Sequence, residues 1–171
     1  DQRSSSQDSQ DIFIVKMNNN GAIQWSAVAG GPEDDESCND LVVDSSGNIY
    51  AIGEFNASST ATFGSTSLTG SGATDIWVAK LTSNGMWSWA SSAGGSANDY
   101  GASLAWTGTD LIGAGTFVGT SDFGSNQMQA IGQGDLWVAH ISSSGGWSNA
   151  NQAGATGDEP GTEGERHDKS A

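Results

Sequence analysis

The densest concentration of possible chemistry is the acidic stretch GGPEDDESCND, Gly30 to Asp40. Glu33, Asp34, Asp35 and Glu36 put four carboxylates side by side. With loop carbonyls such a set could hold Ca²⁺, a hard cation that takes about six to eight oxygens. The spacing fits neither an EF-hand loop nor the nonapeptide calcium repeat. The simpler reading is a solvated loop in which Asp35 caps backbone N–H groups, a role its counterpart Asp99 could share.

Other constellations are weaker. DFG at Asp122 to Gly124 has no kinase loops around it, and GAGTFVG at Gly113 to Gly119 lacks dinucleotide spacing and opens no helix. His140 and His167 are too few and too badly placed for zinc, and no Ser/His/Asp set is recognisable. Asn56-Ala57-Ser58 is a formal glycosylation sequon. The single cysteine, Cys38, permits no intrachain disulfide and aligns with Ala102, which implies a buried, inert thiol.

The elements that must position these residues announce themselves by repetition. DIFIVKMNNNG (Asp11 to Gly21), DIWVAKLTSNG (Asp75 to Gly85) and DLWVAHISSSG (Asp135 to Gly145) are near copies. Trp25 and Trp89 follow Gly21 and Gly85 in one register. LVVDSSGNIYAIGEF (Leu41 to Phe55) aligns with SLAWTGTDLIGAGTF (Ser103 to Phe117), and TFGS at Thr62 with DFGS at Asp122. In that alignment Trp106 stands where the other copy has Asp44, so it is the candidate ligand-binding residue. Asp11, Asp75 and Asp135 read as strand-start residues that bond nearby backbone.

Each unit reads as four strands, with hairpins over about 41–55 and 75–93 closed by SSGN and TSNG. Ile76, Val78 and Lys80 alternate with Trp77, Ala79 and Leu81, so both faces are largely apolar, as in a sheet stacked between two others. Four antiparallel strands about every 60 residues, with abundant glycine and no helix signal, match the blade of a β-propeller. A β-sandwich is the competing fold, but it demands no sequence repeat.

These words resemble the bacterial β-propeller repeat known as SBBP. DIFIVKMNNNGAIQWSAVAGG, DDESCNDLVVDSSGNIYAIGEF and DIWVAKL carry the likeness, which runs from residue 11 to about 161. The resemblance implies an all-β, partial propeller in a secreted or surface protein, with no shared catalytic residues to transfer. The expected division is a linker or preceding repeat end (1–10), a half blade (11–37), two blades (38–101 and 102–160) and a disordered polar tail (161–171). Closure usually needs about four to eight blades, so the chain reads as a fragment, completed by further blades of a longer protein or by other copies.

Charge narrows the function. Twenty acidic against five basic residues give a net charge of −15, which repels nucleic acid. No run approaches the ~18 apolar residues of a membrane span. The expectation is a non-catalytic extracellular or cell-surface scaffold that contacts protein or glycan, with Ca²⁺ as the one conceivable cofactor. The alternative is part of a secreted propeller hydrolase or lyase whose active site lies elsewhere.

Overall fold

A computed structural model of the chain describes residues 10–31, 36–57 and 60–155. Among them are strands and turns only, with no helix. β1 (Ile12–Met17) and β2 (Ile23–Ala29) form a hairpin. β3 (Glu36–Val43) and β4 (Ile49–Asn56) follow, then short β5 (Thr60–Phe63) and β6 (Thr66–Thr69), then β7 (Thr74–Leu81) and β8 (Trp87–Gly95). The series repeats as β9 (Asp99–Trp106), β10 (Leu111–Phe117), β11 (Thr120–Phe123), β12 (Asn126–Gln129), β13 (Asp135–Ile141) and β14 (Trp147–Ala153).

Hydrogen bonding orders the long strands β3-β4-β7-β8 and β9-β10-β13-β14, antiparallel throughout, so each set is one four-stranded blade. The short hairpins do something the four-strand reading did not anticipate. β11 pairs with β8 of the blade before it, Ser121 opposite Gly95 and Asp122 opposite Gly94, which extends that sheet to six strands. A bridge between Thr62 of β5 and Gly30 makes the same link one repeat earlier. Four-residue strands carry too little alternation to be read from sequence.

The apolar faces close the seams between blades. Ile12, Ile14, Ala27 and Ala29 of the first hairpin pack against Phe55, Trp77 and Leu81, with Phe63 of the β5–β6 hairpin wedged between. The other face of the same blade, Ile52, Ile76 and Val78, packs against Phe117, Trp137 and Ile141, with Phe123 in the place of Phe63. Phe63 lies 5.0 Å from Trp77 and 5.2 Å from Trp87, and Phe123 lies 5.1 Å from Trp137 and 5.8 Å from Trp147. The alternation of β7 therefore loads both seams at once, as its sequence implied.

Strand register corrects several correspondences. β3 begins at Glu36, so the second half of the acidic stretch is strand rather than loop. The reason is the ladder, which sets Glu36 opposite Phe55 and Ser37 opposite Glu54. Ile49 faces Leu81 as Leu111 faces Ile141, and their hairpin partners are Val43 and Trp106. Trp106 thus replaces Val43, not Asp44, because its turn is one residue shorter. Likewise Glu36, not Asp35, is the counterpart of Asp99, and Cys38 corresponds to Gly101, not Ala102. The expected cuts at 37/38 and 101/102 fall inside β3 and β9, and most of the linker and the whole tail lie outside the described residues.

Gly53 shows how closely the strands approach. A Cβ there would sit well under 3.0 Å from the Ser37 carbonyl oxygen, with the Trp77 indole at 3.0 Å on the same side. Backbone cannot yield as a side-chain tip can. Gly53→Ala is expected to destabilise the chain by about 3 kcal/mol or more, read as a large fall in melting temperature. Exposed Ser45→Ala, in the neighbouring turn, is the control and should change little.

Candidate functional site

The repeated aspartates open the strands that carry the seams. Asp75, 3% exposed, accepts a hydrogen bond from Ser71 N at 2.7 Å through Oδ2, while its buried Oδ1 has no hydrogen-bond donor among the described residues. Asp99, which opens the next blade, is fully buried and accepts from Gly95 N (2.7 Å), Ser121 Oγ (2.8 Å) and Val118 N (3.2 Å). The two carboxylates meet over the bare Cα of Gly94, where an added Cβ would lie 2.5 Å from Asp75 Oδ1 and 3.0 Å from Asp99 Oδ2. Gly94 has φ +149°, a conformation that itself favours glycine.

The arrangement recurs. Asp11 and Glu36 converge in the same way on Gly30, also at φ +149°. Asp135 is fully buried, with Oδ2 accepting from Ile131 N (3.0 Å) and Gln152 Nε2 (3.1 Å), and Gly154 packs on its Oδ1. Asp158 and Glu159, next along the chain, lie outside the described residues. Spacing alone placed these aspartates at strand starts bonding to backbone; it did not reveal a second carboxylate from the neighbouring blade. The signal was present as Asp, then Gly nineteen residues on, then an acid five or six further: Asp11, Gly30, Glu36 and Asp75, Gly94, Asp99.

Burial raises the pKa of Asp75, against the bond from Ser71 and with the help of the Asp99 charge. Burial also raises that of Asp99, against its three donors. Asp99, with every donor aimed at it, suits the ionised member. A proton on Asp75 Oδ1 would satisfy that oxygen and remove one buried charge.

The tryptophans fix the blades laterally. Trp25 Nε1 donates to Ser83 O and Trp89 Nε1 to Ser143 O, each at 3.1 Å and each reaching the hairpin turn of the next blade. Their rings sit on Gly85 and Gly145 of those turns. Gly21 holds the same place in the first turn, and nothing lies within 4 Å of the position its Cβ would take. Trp87 and Trp147 reach the other way, donating at 2.9 Å to Val28 O and Ser91 Oγ of the preceding blade.

The candidate ligand residue Trp106 is half-buried and stacked on Tyr50 of the preceding blade, ring centroids 5.1 Å apart at 15°. Lys80 Nζ stands 5.0 Å from the centre of the Tyr50 ring. Of the calcium candidates, Glu33, Asp34 and Asp35 lie outside the described residues, and Glu36 is buried beside Asp11. Among the described residues no three His, Cys, Asp or Glu side chains converge as a metal site would require. Cys38 is exposed, not buried as expected, because the strand turns its side chain outward. Local burial of the sulfur and then the charges of Asp40 and Glu54 push its thiol up to about 11, so it stays protonated.

One set that the sequence did not show is brought together by β13 and β14. Ser148 Oγ lies 3.2 Å from His140 Nδ1, and His140 Nε2 lies 3.6 Å from Asp110 Oδ2. Cross-strand register pairs His140 with Ser148, which no linear spacing rule predicts.

The fold and these seams define a partial β-propeller built of repeated blades. A family model described as a beta-propeller repeat, SBBP, matches residues 24–57, the stretch from β2 through β4 and the first seam. A search of curated proteins gives no match.

Because Asp75 and Asp99 have raised pKa values in the fold, the native chain binds more protons than the unfolded chain just above the ordinary aspartate value of about 3.9. Their contribution to stability is therefore greatest at acid pH and is lost as pH rises through the folded values. Asp75→Asn, whose amide mimics the protonated acid, is expected to flatten that slope and raise the melting temperature at neutral pH. Thermal melts from pH 4 to 8 provide the check, and an unchanged slope would contradict the assignment.

Proposed function

We propose that the chain is a non-catalytic β-propeller repeat module, extracellular or on a cell surface, that serves as a scaffold and offers its loops to protein or glycan partners. The observation that carries this reading is where the recurrent polar groups go. The indoles of Trp25, Trp89, Trp87 and Trp147 all bond across a seam to another blade, and Asp75, Asp99 and Asp135 lie buried. The residues that repeat serve architecture, so ligand contacts belong to positions that differ between copies, Trp106 and residues 33–35 among them. An acidic surface favours cationic or neutral partners over nucleic acid.

Calcium remains part of this proposal at Glu33 to Glu36, where millimolar Ca²⁺ would raise the melting temperature and a chelator would lower it. The second reading, part of a secreted hydrolase or lyase, draws on Ser148, His140 and Asp110. Against it, the imidazole–carboxylate separation of 3.6 Å is long for a hydrogen bond, and both side chains are about a third exposed.

A glycan array followed by incubation with any bound sugar separates the two. The module reading expects binding that weakens at least tenfold in Trp106→Ala, with the sugar recovered intact. Turnover of the sugar, or labelling of Ser148 by a fluorophosphonate, would replace it with the enzyme reading.

A further inference from the structure

The short hairpin β11–β12 straddles a seam, and its two attachments differ in kind. Toward its own blade the hold is largely apolar: Phe123 lies against Trp137 and Trp147, and Gln152 Nε2 of β14 donates to Gln129 O at 2.9 Å. Toward the preceding blade the ladder is two residue pairs long, Ser121 with Gly95 and Asp122 with Gly94, where β4 and β7 pair over eight. Both β8 partners are glycines, so they offer no side chain to the hairpin. A carboxylate supplements this short ladder. Asp99 ties Gly95 N of β8 to Val118 N and Ser121 Oγ at the start of the hairpin.

The glycine that carries this ladder also carries the acid pair. One oxygen each of Asp75 and Asp99 lies within 3.0 Å of the point a Gly94 Cβ would take, and Asp122 of the hairpin pairs with that same residue. The earlier seam repeats the coincidence. Asp11 and Glu36 meet at Gly30, and Gly30 exchanges backbone bonds of 3.0 and 3.2 Å with Thr62, the counterpart of Asp122. Asp75 is faced by Ser71 N and Gly70 from the β6–β7 loop, by Gly94 from β8 and by Asp99 from β9; the residue opposite it on β4 is Phe55, which carries no charge. Asp122, on β11, is exposed and accepts from Gln127 Nε2 at 2.9 Å. Lys16, Lys80 and His140 are engaged at the turn end, with Ser83 O, the Tyr50 ring and Asp110, so among the described residues neither buried acid has a basic partner.

With one proton between them the two acids carry a single buried charge; with none they carry two, which repel in a poorly solvated site. We propose that the acid pair is a proton-operated latch, which holds the β11–β12 hairpin closed on the preceding blade while one proton is shared and lets it part from β8 when that proton is lost. Burial raises both carboxyls, so the proton is held above the ordinary aspartate range and released as pH rises through the folded values. The break falls at Gly94 and Gly95 because two residue pairs are all that must be given up there. The hairpin stays on its own blade, because Phe123, Trp137, Trp147, Gln129 and Gln152 include no titratable group. Acid thus joins neighbouring blades, and rising pH frees the outer edge of β8 in a chain that remains folded.

The test is hydrogen exchange on the whole chain from pH 4 to 8, expressed as protection factors so that the intrinsic pH dependence of exchange cancels. Segments 93–96 and 118–123 are expected to lose at least tenfold protection as pH rises, while β13 and β14 keep theirs. Asp75→Asn removes the second charge and should keep both segments protected throughout. Ser121→Ala takes one bond from the latch and should lower their protection at pH 4 at least threefold; Ala61 already holds that place in the earlier hairpin, so the substitution fits the fold. Protection that ignores pH, that falls equally in every strand, or that keeps its wild-type pH dependence in Asp75→Asn would overturn the proposal. Should Asp75→Asn not fold, the wild-type profile and Ser121→Ala decide it, and unchanged protection in Ser121→Ala would overturn it as well.

Discussion

Everything in this structure depends on sheets that are apolar on both faces and so must be covered on both. Trp77 is the clearest instance. Its ring is fully buried between the first hairpin and its own blade, and its indole N–H is satisfied by the backbone oxygens of Ser37 and Glu54. A single sheet with Ile76 and Val78 on one side and Trp77 and Leu81 on the other has no solvated face to offer. Stacking is the only arrangement that removes both from water. The repeat in the sequence is the consequence, since each new blade presents the same two faces again.

The polar groups caught in the seams show the cost of that arrangement. Burying an indole N–H or a carboxylate without a partner is expensive, and the chain answers each case locally. Trp25, Trp87 and Trp89 find carbonyl oxygens of the adjoining blade and Trp147 a serine hydroxyl there, while Asp99 gathers two backbone amides and a hydroxyl. Glycine at 94 and at 30 lets two acids approach over a bare Cα. Lateral alignment of the blades is therefore set by directional bonds, while cohesion comes from apolar area.

Much of the fold was legible because it is periodic. The DIWVAKL alternation assigned each residue of β7 to its correct face, and Gly85 was correctly read as a turn. What could not be read were relations between elements that are distant in sequence or too short to show a period. β5 and β6 have four residues each. Asp75 meets Asp99 only because β8 and β9 lie in different sheets, and Ser148 meets His140 only through cross-strand register. Trp106 was singled out for its departure from the repeat, but a one-residue difference in turn length misaligned it, and its stacking on Tyr50 required both blades to be in place.

The displaced hairpins change what counts as a unit. Because β11 bonds to β8 and carries β12 on its other edge, the second blade's connection is stitched into the first blade's sheet. The stretch matched to the repeat family, 24–57, likewise starts in one blade and ends in the next. What is copied along the chain is thus a joint, and the blade is what appears between two joints. Cooperative unfolding should follow the same logic: a blade cannot melt alone without pulling a hairpin from its neighbour, so disorder introduced at one seam is transmitted through the array.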